Sequence, residues 1–122
     1  MNEKTRILIV EDDEQQREPL HQLLTVEGHD VRMASSGNDA IPLIYGVEFD
    51  LVIVDLKMPY IDGFEVLKFI KGTFPKTKVI VLTAYGDLMN IEKCKKLGAD
   101  EVIGKPYNIE HLFSTIDDLL IK

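Results

Sequence analysis

Three acidic residues in a row, Glu11-Asp12-Asp13, close the apolar run Ile7-Leu8-Ile9-Val10. A further acid, Asp55, closes Leu51-Val52-Ile53-Val54, and Lys105-Pro106 follows Asp100-Glu101-Val102-Ile103-Gly104. A carboxylate where a buried strand gives way to a loop is placed to act as a nucleophile. Singly, each residue has an ordinary use: an acid caps a turn or a helix, and a lysine is a solvated charge. Together they pose a charge problem. If the run ends are neighbours, Glu11, Asp12 and Asp55 converge, and two unit charges about 5 Å apart repel by roughly 3 kcal/mol at an effective dielectric near 20. Lys105 returns one positive charge. A hard divalent ion bound through carboxylate oxygens balances the other two, and few protein ligands with several waters suit Mg²⁺. Zn²⁺ fits worse without nearby His or Cys.

The elements that must position these groups are legible in the apolar pattern. Runs at about 6–10, 50–54 and 78–82 are too short for buried helices and too uniformly apolar for half-exposed strands, so they read as central strands covered on both faces. Weaker strands fit 30–34 and 100–104. Between them helical spacing appears at Leu20, Leu23 and Leu24, at Ala40, Ile41 and Ile44, and at Val66, Leu67 and Ile70. It returns at Ile91, Cys94 and Leu97, and at Leu112, Phe113, Ile116, Leu119 and Leu120. Gly28, Gly46, Gly72 and Gly98 fall near helix ends. Five β-α units of this kind require parallel strands, right-handed crossovers and helices on both faces, an α/β three-layer fold. Ligands of such sheets gather at the carboxyl ends of strands beside a topological switch point, where the acids and Lys105 lie. Pro19 and Pro42 fall inside helical patterns, each at a cost of about 3 kcal/mol, and predict kinks or shortened helices.

Composition sets the bounds. With 122 residues, 45% apolar and 29% charged, one soluble domain over 1–122 is expected, and no repeat, low-complexity tract or linker divides it. A net charge of −7 with scattered basic residues excludes nucleic acid as the main partner. A single cysteine, Cys94, excludes an internal disulfide and a multi-thiolate metal site, which fits a cytoplasmic setting. No apolar signal core opens Met1-Asn2-Glu3-Lys4-Thr5-Arg6, and no apolar run approaches the length needed to span a bilayer. His21, His29 and His111 have no ligand spacing.

From Arg6 to about Leu120 the sequence resembles the receiver domains of two-component response regulators. Four motifs carry the likeness jointly: Val10-Glu11-Asp12-Asp13, Asp55-Leu56-Lys57-Met58-Pro59 with Asp62-Gly63, Thr83-Ala84, and Lys105-Pro106. The resemblance implies a flavodoxin-like, doubly wound five-stranded parallel sheet of order 2-1-3-4-5. It makes Asp55 the phosphoacceptor, Glu11 and Asp12 the metal-holding pair and the backbone carbonyl of Lys57 the third protein ligand to Mg²⁺. Thr83 becomes the hydroxyl that follows the phosphoryl group, Lys105 its positive charge, and Lys105-Pro106 a cis bond. Asp13 is left to cap the first helix. A histidine kinase or histidine phosphotransfer protein is the implied donor. The domain then catalyses its own phosphorylation and dephosphorylation without being an enzyme on another substrate. A downstream effector protein or domain is the implied receiver of the signal, and a phosphorylation-dependent homodimer is compatible with it.

One position departs from the family. Its switch aromatic, three residues before the lysine, is Val102 here, leaving Tyr107 or Tyr85 to report the change to the face of the fourth helix, fifth strand and fifth helix. Lys57 and Tyr85 should shield the phosphoryl group from water. Asp13, Gln16, Pro19, Leu20, Pro59, Tyr60 and Pro106 should meet the donor. Other classes read differently: a receiver that binds partners without phosphorylation, a haloacid-dehalogenase-type phosphohydrolase, or a flavodoxin-like cofactor binder. The phosphohydrolase generally has a second Asp where this chain has Lys57, and acids after the first strand would repel an FMN phosphate.

Overall fold

Short buried strands and amphipathic helices alternate through the whole structure, a computed structural model that describes residues 4–56, 63–84 and 88–120. In chain order the elements are β1 (Arg6–Val10), α1 (Glu14–Val26), β2 (Asp30–Ala34), α2 (Gly37–Gly46) and β3 (Leu51–Asp55). They continue as α3 (Gly63–Thr73), β4 (Lys78–Ala84), α4 (Leu88–Lys96), β5 (Glu101–Lys105) and α5 (Ile109–Leu120). The strands form one parallel sheet in the order β2-β1-β3-β4-β5, as the resemblance implied.

The strict two-residue alternation of a strand explains the layers. Leu8, Val10, Val52, Val54, Val79 and Val81 face one side, where Ala40, Ile44, Val66, Leu67, Ile70 and Cys94 bring α2, α3 and α4 against them. Ile7, Ile9, Leu51, Ile53, Ile80 and Leu82 face the other, covered by Leu20 and Leu24 of α1 and Leu112 and Ile116 of α5. Both faces are dry, so the central runs carry no polar alternation.

Local signals set the helix ends. The Asp13 side chain accepts the N–H of Gln15 at the start of α1, and Ser36 accepts that of Asp39 in α2. Asn108 Oδ1 accepts from Glu110 and His111 at the start of α5. Beyond α1 and α4 the chain turns at Gly28 (φ 98°) and Gly98 (φ 99°), a left-handed conformation that glycine adopts without steric cost.

The two prolines lie inside their helices. α1 runs through Pro19 to Val26 and α2 through Pro42 to Gly46, so neither helix ends at its proline. Each loses one backbone bond, but buried side chains lie directly around it: Leu20 and Leu24 in α1, Ala40 and Ile44 in α2. Burying one leucine is worth about 1.5–3 kcal/mol, enough to offset the missing bond. Away from the acidic end of the sheet, Asp100 joins three elements. It pairs with Lys71 of α3 at 2.6 Å and accepts the Val79 N–H of β4 at 2.8 Å, just before β5 begins. Among the described residues no helix is long and apolar enough to cross a membrane.

Candidate functional site

Parallel pairing puts the carboxyl ends of β1, β3, β4 and β5 side by side. Val10 is level with Val54, Asp55 with Leu82, Thr83 with Gly104 and Ala84 with Lys105. Asp55 is the last residue of β3, one position deeper than a loop placement would put it. Glu11 and Asp12 follow β1 directly, and the Glu11 N–H is held by the Ala34 carbonyl at 3.0 Å. One carboxylate oxygen each from Glu11, Asp12 and Asp55 lies within 4.8 Å of the others. Glu11 and Asp55 are 4% and 8% exposed, while Asp12 faces solvent. Thr83 is buried at the edge of the same cleft, which encloses about 950 Å³ and also takes in Gln16, Pro19, Leu20, Pro106 and Tyr107.

Lys105 offsets part of this negative charge. Its Nζ donates to Asp55 Oδ2 at 2.6 Å, to Gln16 Oε1 at 2.8 Å and to Glu11 Oε1 at 3.1 Å. The Lys105-Pro106 bond is cis. Burial pulls the Lys105 ammonium toward neutrality, but the hydrogen bond and charge of Asp55, joined by Glu11, outweigh it and hold the pKa above its ordinary value. Glu11 moves the opposite way in charge. Burial first, then the neighbouring Asp55, push its carboxyl up to about 7 against the partial relief that Lys105 gives. Burial likewise raises the Tyr107 hydroxyl, with Lys105 opposing and Glu11 assisting.

A second cation would relieve this arrangement. The donor set is all oxygen, with one carboxylate solvent-facing, which fits a hard divalent ion that keeps several waters. No His or Cys belongs to the group, so a soft or borderline metal finds no preferred ligand there.

Three residues build the site without having been assigned that work from sequence. Arg17 Nη1 donates to the Glu11 carbonyl at 2.9 Å, tying α1 to the acidic turn. Gln16, expected only at the border, reaches Lys105. Gly63, the first residue of α3, packs so closely that a Cβ there would stand 2.5 Å from the Asp55 carbonyl oxygen and 2.6 Å from Leu56 Cα. Its motif neighbour Asp62 was legible, but the close approach depends on how α3 returns to β3. Asp13 caps α1, as was left open for it. Lys57, with its expected carbonyl ligand, and Pro59, Tyr60, Asp62 and Tyr85 lie outside the described residues.

A family profile described as the response regulator receiver domain matches residues 7–117. The chain belongs to that family. This receiver domain is 37% identical over 120 residues to sporulation initiation phosphotransferase F of Bacillus subtilis, covering 98% of this chain and 95% of that protein. It is 42% identical over 106 residues to a cyclic di-GMP phosphodiesterase of Thermotoga maritima, covering 87% of this chain but only 28% of that much longer protein. Among solved structures it is similar to the response regulator TrrA of Thermotoga maritima in complex with Mg(2+)-BeF. The TM-score is 0.86 at 34% identity, covering 95% and 99% of the two chains. The receiver domain is therefore a phosphoacceptor switch of two-component signalling, a class that works with histidine kinases or phosphotransfer proteins and with effector domains. A receiver that only binds partners without phosphorylation and a haloacid-dehalogenase-type phosphohydrolase are not favoured.

Proposed function

We propose that Asp55 is the phosphoacceptor, that Glu11, Asp12 and Asp55 hold Mg²⁺, and that Lys105 and Thr83 complete the transfer site. The observation that carries this reading is the Lys105 ammonium 2.6 Å from Asp55 Oδ2, within a carboxylate trio whose oxygens lie within 4.8 Å of one another. The TrrA complex with Mg(2+)-BeF supports the choice of metal. When bound, Mg²⁺ supplies charge neutralisation for the carboxylates and for the incoming phosphoryl oxygens.

Phosphoryl transfer relies on positioning and on balancing charge spread over the equatorial oxygens, more than on covalent activation. Asp55, fixed at the end of β3, presents a carboxylate oxygen that forms a bond to phosphorus. The bond from phosphorus to the donor's histidine nitrogen breaks, and its electron pair remains on that ring nitrogen, which takes up a proton. Lys105 moves one donor from Asp55 to a phosphoryl oxygen as the negative charge shifts from carboxylate to phosphate. Thr83, buried on β4 level with Gly104 and lining the same cleft as Lys105, offers a hydroxyl to another oxygen. Water later attacks phosphorus, releasing inorganic phosphate and restoring the Asp55 carboxylate.

The donor is a histidine kinase or histidine phosphotransfer protein, docked where the exposed Pro19 and Pro106 line the cleft. The 37% identity to the B. subtilis phosphotransferase supports a role in phosphoryl transfer between proteins. Incubation with acetyl phosphate and Mg²⁺ followed by intact-mass measurement tests the assignment. One phosphoryl addition is expected, absent in Asp55→Asn and strongly reduced in Lys105→Ala. Continued labelling of Asp55→Asn at the wild-type rate would move the acceptor elsewhere.

A further inference from the structure

An ammonium group has three donors, and at Lys105 all three are engaged. Two go to the site's carboxylates, Asp55 and Glu11. The third goes to Gln16, a residue of α1 with no place in the acidic turn, whose Oε1 accepts at 2.8 Å. Gln16 is itself held: its Nε2 donates to Asp13 Oδ2 at 3.0 Å, while the other oxygen of that carboxylate caps α1 through the Gln15 N–H at 2.9 Å. Only one orientation of the amide satisfies both neighbours, because a flip would set NH₂ against ammonium and oxygen against carboxylate. The third residue after an N-cap, when Glu or Gln, commonly reaches back to the cap's own N–H. Here that N–H belongs to Glu11 Oε2, at 3.3 Å, and Gln16 is turned to the lysine instead.

We propose that Gln16 is a positioning residue that fixes the Lys105 ammonium over Asp55 and thereby sets the rate of phosphoryl transfer. The proposal rests on the reading of Asp55 as acceptor and Lys105 as its cation. Without the third bond, Lys105 has two acceptors at the bottom of the cleft and its ammonium rotates on a flexible stem. With it, Nζ is held from below by the carboxylates and from α1 by the amide. Charge explains why an amide suits this position. Three carboxylates already converge, and a fourth anion would oppose the phosphoryl group, whereas a neutral carbonyl holds the lysine without adding to that repulsion.

The test uses acetyl phosphate with Mg²⁺, a donor too small to depend on protein docking along α1. Asp55 labelling is followed by intact mass in the wild type, Gln16→Met, Lys105→Ala and the double variant. Gln16→Met should label about tenfold more slowly, as expected for loss of a hydrogen bond to a charged group. In the Lys105→Ala background the same substitution should change nothing further, since its only route to the chemistry is through the lysine. An undiminished rate in Gln16→Met overturns the proposal, as does an equal loss in both backgrounds, which would make the effect one of α1 capping. The Lys105 side-chain NH₃⁺ signal in NMR gives a readout independent of turnover. It should be slowed in proton exchange in the wild type and broadened away in Gln16→Met; identical signals overturn the contact. Should the wild type not label at Asp55 at all, the acceptor assignment falls and this proposal with it, whereas a labelled wild type with an indifferent Gln16→Met sinks only the role of Gln16.

Discussion

Glu11 shows what concentrating charge costs the fold. Its carboxyl, raised to about 7, keeps a proton in the folded domain that the unfolded chain releases near the ordinary value of 4.5. Between those values the folded state binds more protons than the unfolded state, so stability falls as pH rises through the window and the loss is complete above about 7. A shift of that size sets an upper limit of about 3 kcal/mol on the loss. A divalent ion reverses it by binding the ionised form. Metal-free Glu11→Gln should therefore melt higher than the wild type at pH 8, with the difference shrinking toward pH 5. Mg²⁺ should raise the wild-type midpoint more at pH 8 than at pH 6 and should do little for Glu11→Gln. Thermal denaturation with and without EDTA checks both, and an identical Mg²⁺ response in the two proteins would remove Glu11 from the metal site. A residue that weakens the empty fold and strengthens the loaded one is a mark of function over stability.

At the scale of elements, the start of α3 and the end of β3 act as one piece. Gly63 donates its N–H to the Leu56 carbonyl at 3.1 Å, and the space for its Cβ is already filled by Asp55 and Leu56 backbone, which has no flexible end to move. Gly63→Ala should cost about 1–3 kcal/mol, as overpacking does, and should slow Asp55 labelling because the displaced strand end carries the nucleophile. Gly72, in the last turn of the same helix with open space around it, is the contrast: Gly72→Ala should stabilise by about 0.5–1 kcal/mol in a urea titration and leave labelling alone. The output elements pose a different question. Val102, at the family's usual aromatic position, packs half-buried in the core on the α2–α4 side, whereas Tyr107 packs on the α1–α5 side next to the site. The signal should therefore leave through the β5–α5 connection. Amide exchange with and without beryllofluoride should change at 105–113 and less around Val102; equal protection throughout would rule out this route.

Across the whole molecule the sheet separates stability from chemistry. Its carboxyl end gathers like charge, which destabilises until a cation arrives. Its amino end is tied by Asp100 to Lys71, Lys78 and the Val79 N–H, with opposite charges matched. Asp100→Ala removes the carboxylate paired with Lys71, which keeps only the Thr77 carbonyl, and the acceptor of the Val79 N–H, so about 2–3 kcal/mol of stability should be lost. Labelling of Asp55 should be unaffected, because Asp100 lies at the opposite end of the sheet, with the buried residues Val79 to Leu82 of β4 between them. Denaturant titration paired with intact mass checks this separation, and a labelling rate that fell with stability would refute it.

Much of this was legible in the sequence because it rests on local pattern. Uniform apolar runs with glycine and capping signals between them pointed to five β-α units, and Asp55 and Lys105 announced themselves by standing at run ends, where backbone pairing stops, whereas Thr83 came only from the family resemblance. Even Asp13 was separable, because Glu11 and Asp12 directly follow Val10 and left it to cap the first helix. Position along a strand or a helix turn is a short-range property, and sequence reports it well. What only the tertiary structure decided is long-range. The two proline-bearing helices continue because side chains on the sheet hold them. The Gly63 approach exists because α3 returns onto its own strand. Gln16 meets Lys105, 89 positions away, because α1 and β5 border one cleft. Contacts of that kind depend on the angles at which elements pack, and those are set by the core as a whole.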